Sequence, residues 1–316
     1  MILVLNCGSQ SIKWKVFSND LKLKKEGSRE IFKERSLAKI LKEELKSINE
    51  EITLVGHRVV HGGDKFKKPT KITRSILKEL NQLCKLAPLH NPFNILGIKI
   101  SKKVFPKAKQ IAVFDTAFYA SLPEKAYSYA LPKELRKKYR RFGFHGISHE
   151  YAVDKVDKKH DKKVISCHLG GGASITAIKN GKAIDTSMGF TPMEGLIMMT
   201  RSGDIDPGIV LELGKKAKYI LNYQSGIKGI SGYDNMLDLL KSKNKLALDM
   251  YVYRIQKYIG AYNAILGGCD ILIFTGTIGY GSAKIRKMVS SVLKTKVIAI
   301  KPDEELAIAK KIRYNK

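Results

Sequence analysis

Two segments of the chain share one pattern: an apolar strand, a short turn with glycine and serine, and a second strand. The first covers residues 1–17, with its turn at 6–11, and the second covers residues 164–178, with its turn at 169–174. Alternating apolar residues are typical of strands, and glycine allows strands to be joined tightly. Because helical patterns separate these strands from later ones, we predict an α/β chain with one such unit in each of two duplicated domains.

Further elements follow from the periodicity of apolar residues. Strands are predicted at 52–60, 111–114, 271–274 and 297–300, and helices at 36–50, 73–86, 93–104, 246–266, 281–293 and 304–312. A length of 316 residues suits two domains. We predict an N-terminal α/β domain at 1–120 that is completed by a C-terminal helix at 304–316, and a C-terminal α/β domain at 121–303.

The net charge of +29 comes mostly from lysine and raises the hypothesis of a nucleic-acid-binding protein. The lysines are spread over the whole chain, and aromatic residues are not interleaved with them. We therefore favour a basic surface that attracts anionic substrates, and keep nucleic-acid binding as the non-enzymatic alternative. Apolar runs are too short to cross a membrane, and the chain begins with a strand pattern instead of a signal peptide, so we expect a cytoplasmic protein.

The cysteines exclude some classes of site. The chain has four, at positions 7, 84, 167 and 269, and no two form a C-x-x-C pair. A zinc site or a disulfide framework is therefore not expected. Cys7 and Cys167 end apolar strand patterns, and we predict that both are buried, reduced thiols.

Glycine-rich turns between a strand and the next element expose backbone N–H groups that suit phosphate oxygens. Three such turns occur, at 8–11, 170–174 and 275–282. The chain has far fewer arginines than lysines, so their positions are informative. Arg58 lies at the end of a predicted strand, and Arg201 lies in a polar loop. A guanidinium can bind phosphate or carboxylate through two hydrogen bonds, although a surface ion pair remains the alternative for either residue.

Histidines and carboxylates add to this chemistry. His145 and His149 lie one helical turn apart, but no third metal ligand is near, so we predict one catalytic and one structural histidine. Asp115 ends a buried strand, where functional groups of α/β folds are usual. Glu304 starts the last predicted helix, where an acid is also favoured by the helix dipole, and Mg²⁺ needs only one or two such carboxylates beside phosphate oxygens.

Six motifs together resemble the acetate kinase (acetokinase) family. They are NCGSQSIK at 6–13, GHRVVHGG at 56–63, APLHNP at 87–92, AVFDTAF at 112–118, GFHG at 143–146 and DTSMGFTPMEGL at 185–196. Their order and spacing are similar to the family's over nearly the whole chain. The resemblance implies two ribonuclease H-like domains of the actin/hexokinase type around a central cleft, a homodimer, and nucleotide-binding and dimer surfaces in the C-terminal domain.

The resemblance also implies an activity, the reversible transfer of a phosphoryl group between ATP and acetate to give acetyl phosphate, with Mg²⁺ or alternatively Mn²⁺. It implies that the catalytic residues are Arg58, Arg201, His145 and Asp115. The implied carboxylate site consists of Arg58, Val60, Leu89, His90, Phe144 and Pro192. The implied nucleotide site consists of Ser9, Ser11, Lys13, His168, Gly170, Gly171, Gly172, Gly276, Thr277 and Gly279. Asn6 and Glu304 are the implied metal ligands.

Several departures from the family pattern lie on the donor side. Gln10 stands where a serine is usual, Gly171 where an asparagine is usual and Thr277 where a glycine is usual. The loop at 229–235 starts like the family's nucleotide loop but lacks its Asp-Phe-Arg, and the chain is shorter than other members. We expect weaker or less selective nucleotide binding. Propionate as the acceptor, and pyrophosphate or another nucleoside triphosphate as the donor, remain alternatives.

Overall fold

The computed structural model describes residues 1–8, 11–31 and 36–314. It divides into two compact units. Unit 1 consists of Met1–Ala120 with Asp303–Lys316, and unit 2 of Ser121–Pro302. Both are α/β units that contain one sheet each, as the strand and helix patterns predict.

The sheet of unit 1 has six strands in the order β3-β2-β1-β4-β6-β5. The strands are β1 Ile2–Cys7, β2 Ser11–Phe17, β3 Leu23–Glu30, β4 Leu54–Val59, β5 Thr70–Lys71 and β6 Lys109–Phe114. β1, β4 and β6 run parallel to one another, whereas β2, β3 and β5 are antiparallel to their neighbours. The carboxyl ends of the three central strands therefore lie at one edge of the sheet.

Three helices of unit 1 precede the crossover to unit 2. They are α1 Leu37–Lys46, α2 Arg74–Gln82 and α3 Asn91–Val104, with 3₁₀ turns at Leu83–Lys85 and Asp115–Ser121. The side chain of Thr73 accepts a hydrogen bond from the N–H of Ile76 at 3.2 Å, which confirms the predicted N-cap of α2. Leu37, Leu41 and Leu45 form the buried face of α1 in the core against β1 and β2.

The sheet of unit 2 has five strands in the order β11-β10-β7-β8-β9. The strands are β7 Lys163–Leu169, β8 Ala173–Lys179, β9 Lys182–Thr186, β10 Ile271–Thr275 and β11 Lys296–Ala299. β7 and β8 form the predicted second hairpin, and β10 lies parallel to β7 on its other side. The arrangement β2-β1-β4 of unit 1 is thus repeated as β8-β7-β10, which confirms the predicted duplication.

The helices of unit 2 are mostly short. They are α4 Glu124–Tyr127, α5 Lys133–Arg136, α6 Gly146–Val156, α7 Pro207–Leu213, α8 Ala217–Tyr219, α9 Gly226–Ser231, α10 Met236–Lys241, α11 Lys245–Leu266, α12 Gly276–Gly281 and α13 Ala283–Ser290. A 3₁₀ turn at Gly214–Lys216 and a π-helical turn at Ile220–Gln224 join them. The helix predicted at 281–293 is broken at Ser282, whose hydroxyl caps α13 by accepting from the N–H of Ile285.

The last helix, α14 Glu304–Ile312, returns to unit 1 and has the predicted bounds. It packs on β4 at Gly56, where a Cβ would lie 2.7 Å from side-chain atoms of Ile308 and Ile312. Any larger residue at this position would push the helix off the sheet. This close contact positions the first residues of α14 beside the carboxyl ends of β1 and β4.

The cysteines agree with the sequence analysis. Cys7 and Cys167 are buried and free, and Cys84 and Cys269 are free and half-buried. Among the helices that the structure describes, none is long and apolar enough to span a lipid bilayer.

Candidate active site

Three predicted site residues of unit 1 follow from the parallel strands. Asn6 lies near the end of β1, Arg58 near the end of β4, and Asp115 directly after β6. Because these strands are neighbours and parallel, their carboxyl ends bring the three side chains together. The structure therefore confirms that they lie in one place.

Arg58 is the centre of this group. Its Nε and Nη2 lie 3.1 Å and 2.7 Å from Oδ2 of Asp115, and its Nη1 lies 3.3 Å from Oδ1 of Asn6. The Arg58 side chain is 22% exposed and the Asp115 side chain 2%. Burial alone would lower the pKa of Arg58, but the Asp115 carboxylate, with those of Glu304 and Glu305, raises it above its ordinary value. Asp115 thus orients a permanently charged guanidinium and leaves part of it accessible.

The start of α14 contributes two carboxylates to the same group. Nδ2 of Asn6 donates to Oε1 of Glu305 at 3.3 Å, so Glu305, which the sequence analysis did not select, is the residue in contact with Asn6. Burial, and then the neighbouring carboxylate of Glu304, raise the pKa of Glu305. A cation would relieve this crowding of negative charge, and amide and carboxylate oxygens are ligands that Mg²⁺ prefers. Asn6 and the carboxylates that begin α14, Glu304 among them, therefore have the ligand chemistry that the predicted metal requires, and Glu305 is the one that contacts Asn6.

The loop after β4 is held by two asparagines of α3. The N–H of Val60 donates to Oδ1 of Asn94 at 3.0 Å, and Asn91 forms two backbone hydrogen bonds with His61, each 3.0 Å long. Val60 is buried. Leu89 and His90 lie in the turn that leads into α3 and are half-buried. Asn91 and Asn94 were missed in the sequence analysis, although Asn91 lies inside one of the quoted motifs.

Two other histidines near Arg58 are structural. His57 is buried with Nε2 2.7 Å from Oε1 of Gln110, and His61 is buried with Nδ1 accepting from the N–H of Gly63 at 2.9 Å. Burial lowers the pKa of each to about 4, so both are neutral near pH 7. Neither adds charge to the site.

The nucleotide-site residues predicted in unit 1 lie in and before β2. The N–H of Gly8 donates to the backbone carbonyl of Ser11, with 2.9 Å between nitrogen and oxygen. This hydrogen bond connects the end of β1 to the start of β2. Lys13 is exposed and pairs with Asn6 in the strand register. Ser9 lies outside the described residues, as does Gln10.

In unit 2, two glycine turns meet at the carboxyl ends of β7 and β10. His168 on β7 is level with Thr275 on β10, and both strands then enter their turns. A Cβ on Gly170 would lie 3.5 Å from Oγ1 of Thr277 and 3.8 Å from Nε2 of His168. Gly276 has φ +80°, and a Cβ there would clash with the backbone of Leu169. The predicted nucleotide-site residues of unit 2 are therefore adjacent, and Gly276 is required for this contact.

Arg201 and His145 lie on the other side of the first glycine turn. A Cβ on Gly172 would be 3.1 Å from Nη2 of Arg201 and 3.4 Å from Nε2 of His145. Arg201 also donates from Nη1 to the carbonyl of Pro192 at 2.8 Å, so Pro192 contacts the site through its backbone. Phe144 is buried directly before His145. The structure thus brings together the catalytic residues predicted in unit 2.

Arg201 differs from Arg58 in its charge environment. Within residues 1–8, 11–31 and 36–314, no carboxylate forms an ion pair with it. Burial lowers the pKa of its guanidinium, and the electrostatic effect of Tyr223 opposes this shift without reversing it. A half-buried cation without an anionic partner is costly unless an anionic ligand completes the site.

His145 belongs to a cluster of three histidines. It precedes α6 with φ +57°, a left-handed conformation that is uncommon for residues other than glycine. Its ring stacks on that of His168, with centroids 4.3 Å apart. His149, one turn later on α6, is fully buried, which together with His168 lowers its pKa well below the ordinary value. His149 is therefore neutral, in agreement with the structural role predicted for it.

The loop that carries Arg201 is fixed by residues that the sequence analysis did not select. Oδ1 of Asp204 accepts from the N–H of Gly195 at 2.7 Å, and Oδ2 of Asp204 accepts from Tyr258 at 2.7 Å. Arg254 lies 3.4 Å from the same carboxylate. Arg254 and Tyr258 project one turn apart from the long helix α11. Sequence spacing shows that they share a face of that helix, but gives no sign of what they contact.

The fold and these side chains define a class, the phosphotransferases with a duplicated α/β fold. The profile of the "Acetokinase family" matches residues 33–314. The chain belongs to the acetokinase family. It is 40% identical to "Acetate kinase" of Carboxydothermus hydrogenoformans, over 98% of this chain and 97% of that protein. It is 42% identical to "Acetate kinase" of Dictyoglomus turgidum, over 99% of this chain and 91% of that protein.

Solved structures agree with this assignment. The crystal structure of Porphyromonas gingivalis acetate kinase superposes with a TM-score of 0.87 at 34% identity, over 100% of this chain and 99% of that one. The acetate kinase from Entamoeba histolytica gives 0.88 at 33% identity, over 99% and 98% of the chains. A propionate kinase from Francisella tularensis gives 0.87 at 34% identity, over 98% of each chain. The predicted actin/hexokinase-like fold class is confirmed.

Proposed function

We propose that this protein is an acetate kinase that transfers the terminal phosphoryl group of ATP to acetate and gives ADP and acetyl phosphate, reversibly. The observation that carries the proposal is Arg201, a half-buried guanidinium beside His145 and Gly172 for which the described residues supply no carboxylate partner. A site that leaves positive charge uncompensated is suited to an anion. The phosphoryl group in transfer, with charge on three equatorial oxygens, is such an anion.

The chemistry needs no covalent intermediate on the protein. An oxygen of the acceptor carboxylate attacks the terminal phosphorus while the bond to the leaving diphosphate oxygen breaks, in line. Arg201 and His145 would stabilise the charge of the transferring group by donating hydrogen bonds to its oxygens. Arg58 would bind the carboxylate or the transferring group, and Asp115 keeps its guanidinium in one orientation through the contacts at 2.7 Å and 3.1 Å.

The donor's phosphates are assigned to the turns at 170–172 and 276–279 and to Ser9, Ser11 and Lys13. The adjacency of Gly170, Thr277 and His168 supports the assignment for unit 2. Asn6 and Glu304 would hold Mg²⁺, or Mn²⁺ in its place. When bound, the metal supplies charge neutralisation of the donor phosphates.

Val60, Leu89, Phe144 and Pro192, with His90, are assigned to the acceptor site. An apolar site formed by Val60, Leu89, Phe144 and Pro192 suits the methyl group of acetate. An additional methylene changes binding in an apolar pocket by about 1–3 kcal/mol, and a propionate kinase is among the similar structures, so propionate is the second candidate acceptor.

Two further properties are proposed, the oligomeric state and the cellular location. Large apolar side chains of unit 2 are exposed, among them Leu211 at 81%, Leu246 at 64% and Tyr253 at 63%, which supports burial in a homodimer. Sedimentation equilibrium should give twice the mass of 35.4 kDa, and a monomer would exclude the dimer. We place the enzyme in the cytoplasm because its proposed donor, ATP, is made and used there.

The direct test is an assay with acetate, propionate or butyrate and Mg-ATP, in which the acyl phosphate is trapped with hydroxylamine. Acetate should give the largest kcat/KM and propionate a smaller one. Butyrate reacting fastest would disprove the small acceptor site. A pure, folded enzyme that forms no acyl phosphate with any of the three would disprove the proposed function.

A further inference from the structure

A chain of four side chains leads from the interior of unit 2 to the proposed catalytic His145. Oγ of Ser166 lies 2.8 Å from Nδ1 of His149, and Nε2 of His149 lies 2.8 Å from Oγ of Ser174. Oγ of Ser174 in turn lies 3.0 Å from Nδ1 of His145. The side chains of Ser166, His149 and Ser174 are each 0% exposed. Water therefore has no access with which to replace these hydrogen bonds.

The direction of each hydrogen bond is set by one requirement at its exposed end. Nε2 of His145 lies beside Gly172, where an added Cβ would be 3.4 Å from it and 3.1 Å from Nη2 of Arg201. To donate a hydrogen bond to a phosphoryl oxygen there, Nε2 must carry a proton. In a neutral imidazole, Nδ1 is then an acceptor and must receive a hydrogen bond from the hydroxyl of Ser174.

The remaining donors and acceptors follow. A hydroxyl has a single proton, so a Ser174 hydroxyl that donates to His145 can only accept from Nε2–H of His149. His149 is neutral and buried, so its Nδ1 carries no proton and accepts from the hydroxyl of Ser166. The opposite order would leave a neutral His145 with a bare Nε2, which could not donate to an anion.

We propose that Ser166, His149 and Ser174 are positioning residues that hold His145 in the tautomer with a proton on Nε2. This inference rests on the proposed function, because it assumes that His145 donates to the transferring phosphoryl group. The left-handed backbone of His145, at φ +57°, and its stacking on His168 fix the ring plane, while the serine–histidine chain selects the ring nitrogen that carries the proton. Hydrogen bonds between uncharged groups select the tautomer of His145, so no carboxylate is needed for this purpose next to the phosphoryl anion.

The first test does not use activity. Nitrogen-15 NMR of the whole enzyme with labelled histidine side chains, at pH 7.5, reports which nitrogen of each imidazole carries a proton. His145 and His149 should both show a protonated Nε2 and a bare Nδ1. A proton on Nδ1 of His145 in the wild-type enzyme would overturn the proposal, even if the enzyme phosphorylates acetate at a normal rate.

The second test compares variants in both NMR and kinetics. Ser174→Ala should give His145 as a mixture of tautomers and lower kcat by roughly 10–100-fold, with KM for acetate and ATP changed less than about threefold. Ser148→Ala is the matched control, since the Ser148 hydroxyl lies 2.8 Å from Nδ1 of His168 instead of His145. It should leave the His145 tautomer unchanged. Unchanged tautomer and kcat in Ser174→Ala would refute the role of Ser174.

A second pair of variants keeps the proposal testable if Ser174→Ala fails to fold. The amide of His149→Gln reaches the position of Nε2 and can donate to Ser174, whereas His149→Leu cannot. His149→Gln should retain the His145 tautomer and most of kcat, and His149→Leu should lose both. Equal behaviour of the two variants would overturn the proposal. If the wild-type enzyme phosphorylates no carboxylate, the proposed function fails, and the tautomers then still decide whether the serine–histidine chain has the stated order.

Discussion

Arg58 and Asp115 form an ion pair across the ends of β4 and β6, with Nη2 2.7 Å from Oδ2, whereas the hydrogen bond that Arg201 donates within the described residues goes to a backbone carbonyl, that of Pro192. Arg58 lies near the end of a strand and Arg201 in a loop, and both were assigned the same role from the sequence. Their surroundings differ in charge, because Asp115 pairs with Arg58, whereas no carboxylate among the residues that the structure describes pairs with Arg201. This difference predicts that removing Arg58 lowers the stability of the protein, whereas removing Arg201 does not.

Arg58→Ala should destabilise the protein by about 1–3 kcal/mol, because it leaves the buried carboxylate of Asp115 without its cation. Urea unfolding followed by circular dichroism measures this change. Arg136→Ala is the control, since Arg136 is exposed, and it should change the free energy of unfolding by less than about 0.5 kcal/mol. Equal stability of Arg58→Ala and Arg136→Ala would show that the ion pair contributes nothing.

Arg201→Ala should lower kcat by at least about 100-fold while leaving the free energy of unfolding unchanged or slightly increased. The removed charge is half-buried without an ionic partner, so the folded state loses little, and the transition state loses a charge-assisted hydrogen bond. Steady-state kinetics and urea unfolding on the same preparation separate the two effects. A near-normal kcat would remove Arg201 from the mechanism, and a large loss of stability would contradict its description as an unmatched cation.

The sequence was sufficient to predict the residues at strand ends. Asn6, Arg58 and Asp115 each follow an apolar run, and the rule that functional groups lie at the carboxyl ends of parallel strands brings them together. The glycine turns at 170–172 and 276–279 were found for the same reason. In contrast, Asp204 and Tyr258 lie 54 positions apart, and only tertiary packing joins a loop to helix α11 over that separation. Strands β3 and β9 were missed because charged residues interrupt their alternation.

Two glycines of the phosphate turns should respond differently to the same substitution. Gly276→Ala places a Cβ against the backbone of Leu169 at φ +80°, and should destabilise the protein by about 2 kcal/mol or more. Gly171→Ala meets no atom within 4 Å and should leave stability within about 0.5 kcal/mol of the wild type. Thermal unfolding of both variants checks this. A large loss in Gly171→Ala would mean that this position needs glycine for its backbone.

Stability should fall as pH drops below about 6.5, because His57 and His61 are buried. Burial lowers the folded-state pKa of each to about 4, so between about 6.5 and 4 the unfolded chain binds protons that the folded protein does not. The stability contribution of each residue is complete above its unfolded pKa and is lost as pH falls toward 4, by at most about 3 kcal/mol.

Urea unfolding at pH 7.5, 6.0 and 5.0 measures this dependence. His57→Gln should make the loss of stability between pH 7.5 and 5.0 smaller, since one titrating group is gone. If His57→Gln follows the wild type at every pH, the buried imidazole is not a source of the acid sensitivity.

The donor site is where this chain departs most from its family, and the structure gives two of the departures a location. Gly171 is exposed, and a Cβ added there would have no atom within 4 Å. The structure therefore has room for the asparagine that is usual at this position. Thr277 is exposed and its hydroxyl lies beside Gly170. Neither replacement is required by packing. Their effect should therefore fall on the ligand that these turns bind.

We predict that the protein discriminates weakly between nucleotide donors, because residues usual in the family's nucleotide site are replaced. The values of kcat/KM for ATP and GTP should lie within about tenfold of each other. ATP and GTP differ only in their bases, and tenfold corresponds to about 1.4 kcal/mol, which is roughly the contribution of one uncharged hydrogen bond to a base. The measurement is a panel of ATP, GTP, CTP and pyrophosphate at fixed acetate and Mg²⁺.

Gly171→Asn combined with Thr277→Gly should fold normally and lower KM for ATP, because both changes restore the family's residues where space permits. Tyr280 and Tyr233, exposed at 43% and 39%, are the side chains that could form an adenine site instead. A strong preference for ATP that Tyr280→Ala or Tyr233→Ala abolishes would contradict the prediction and assign adenine recognition to that tyrosine.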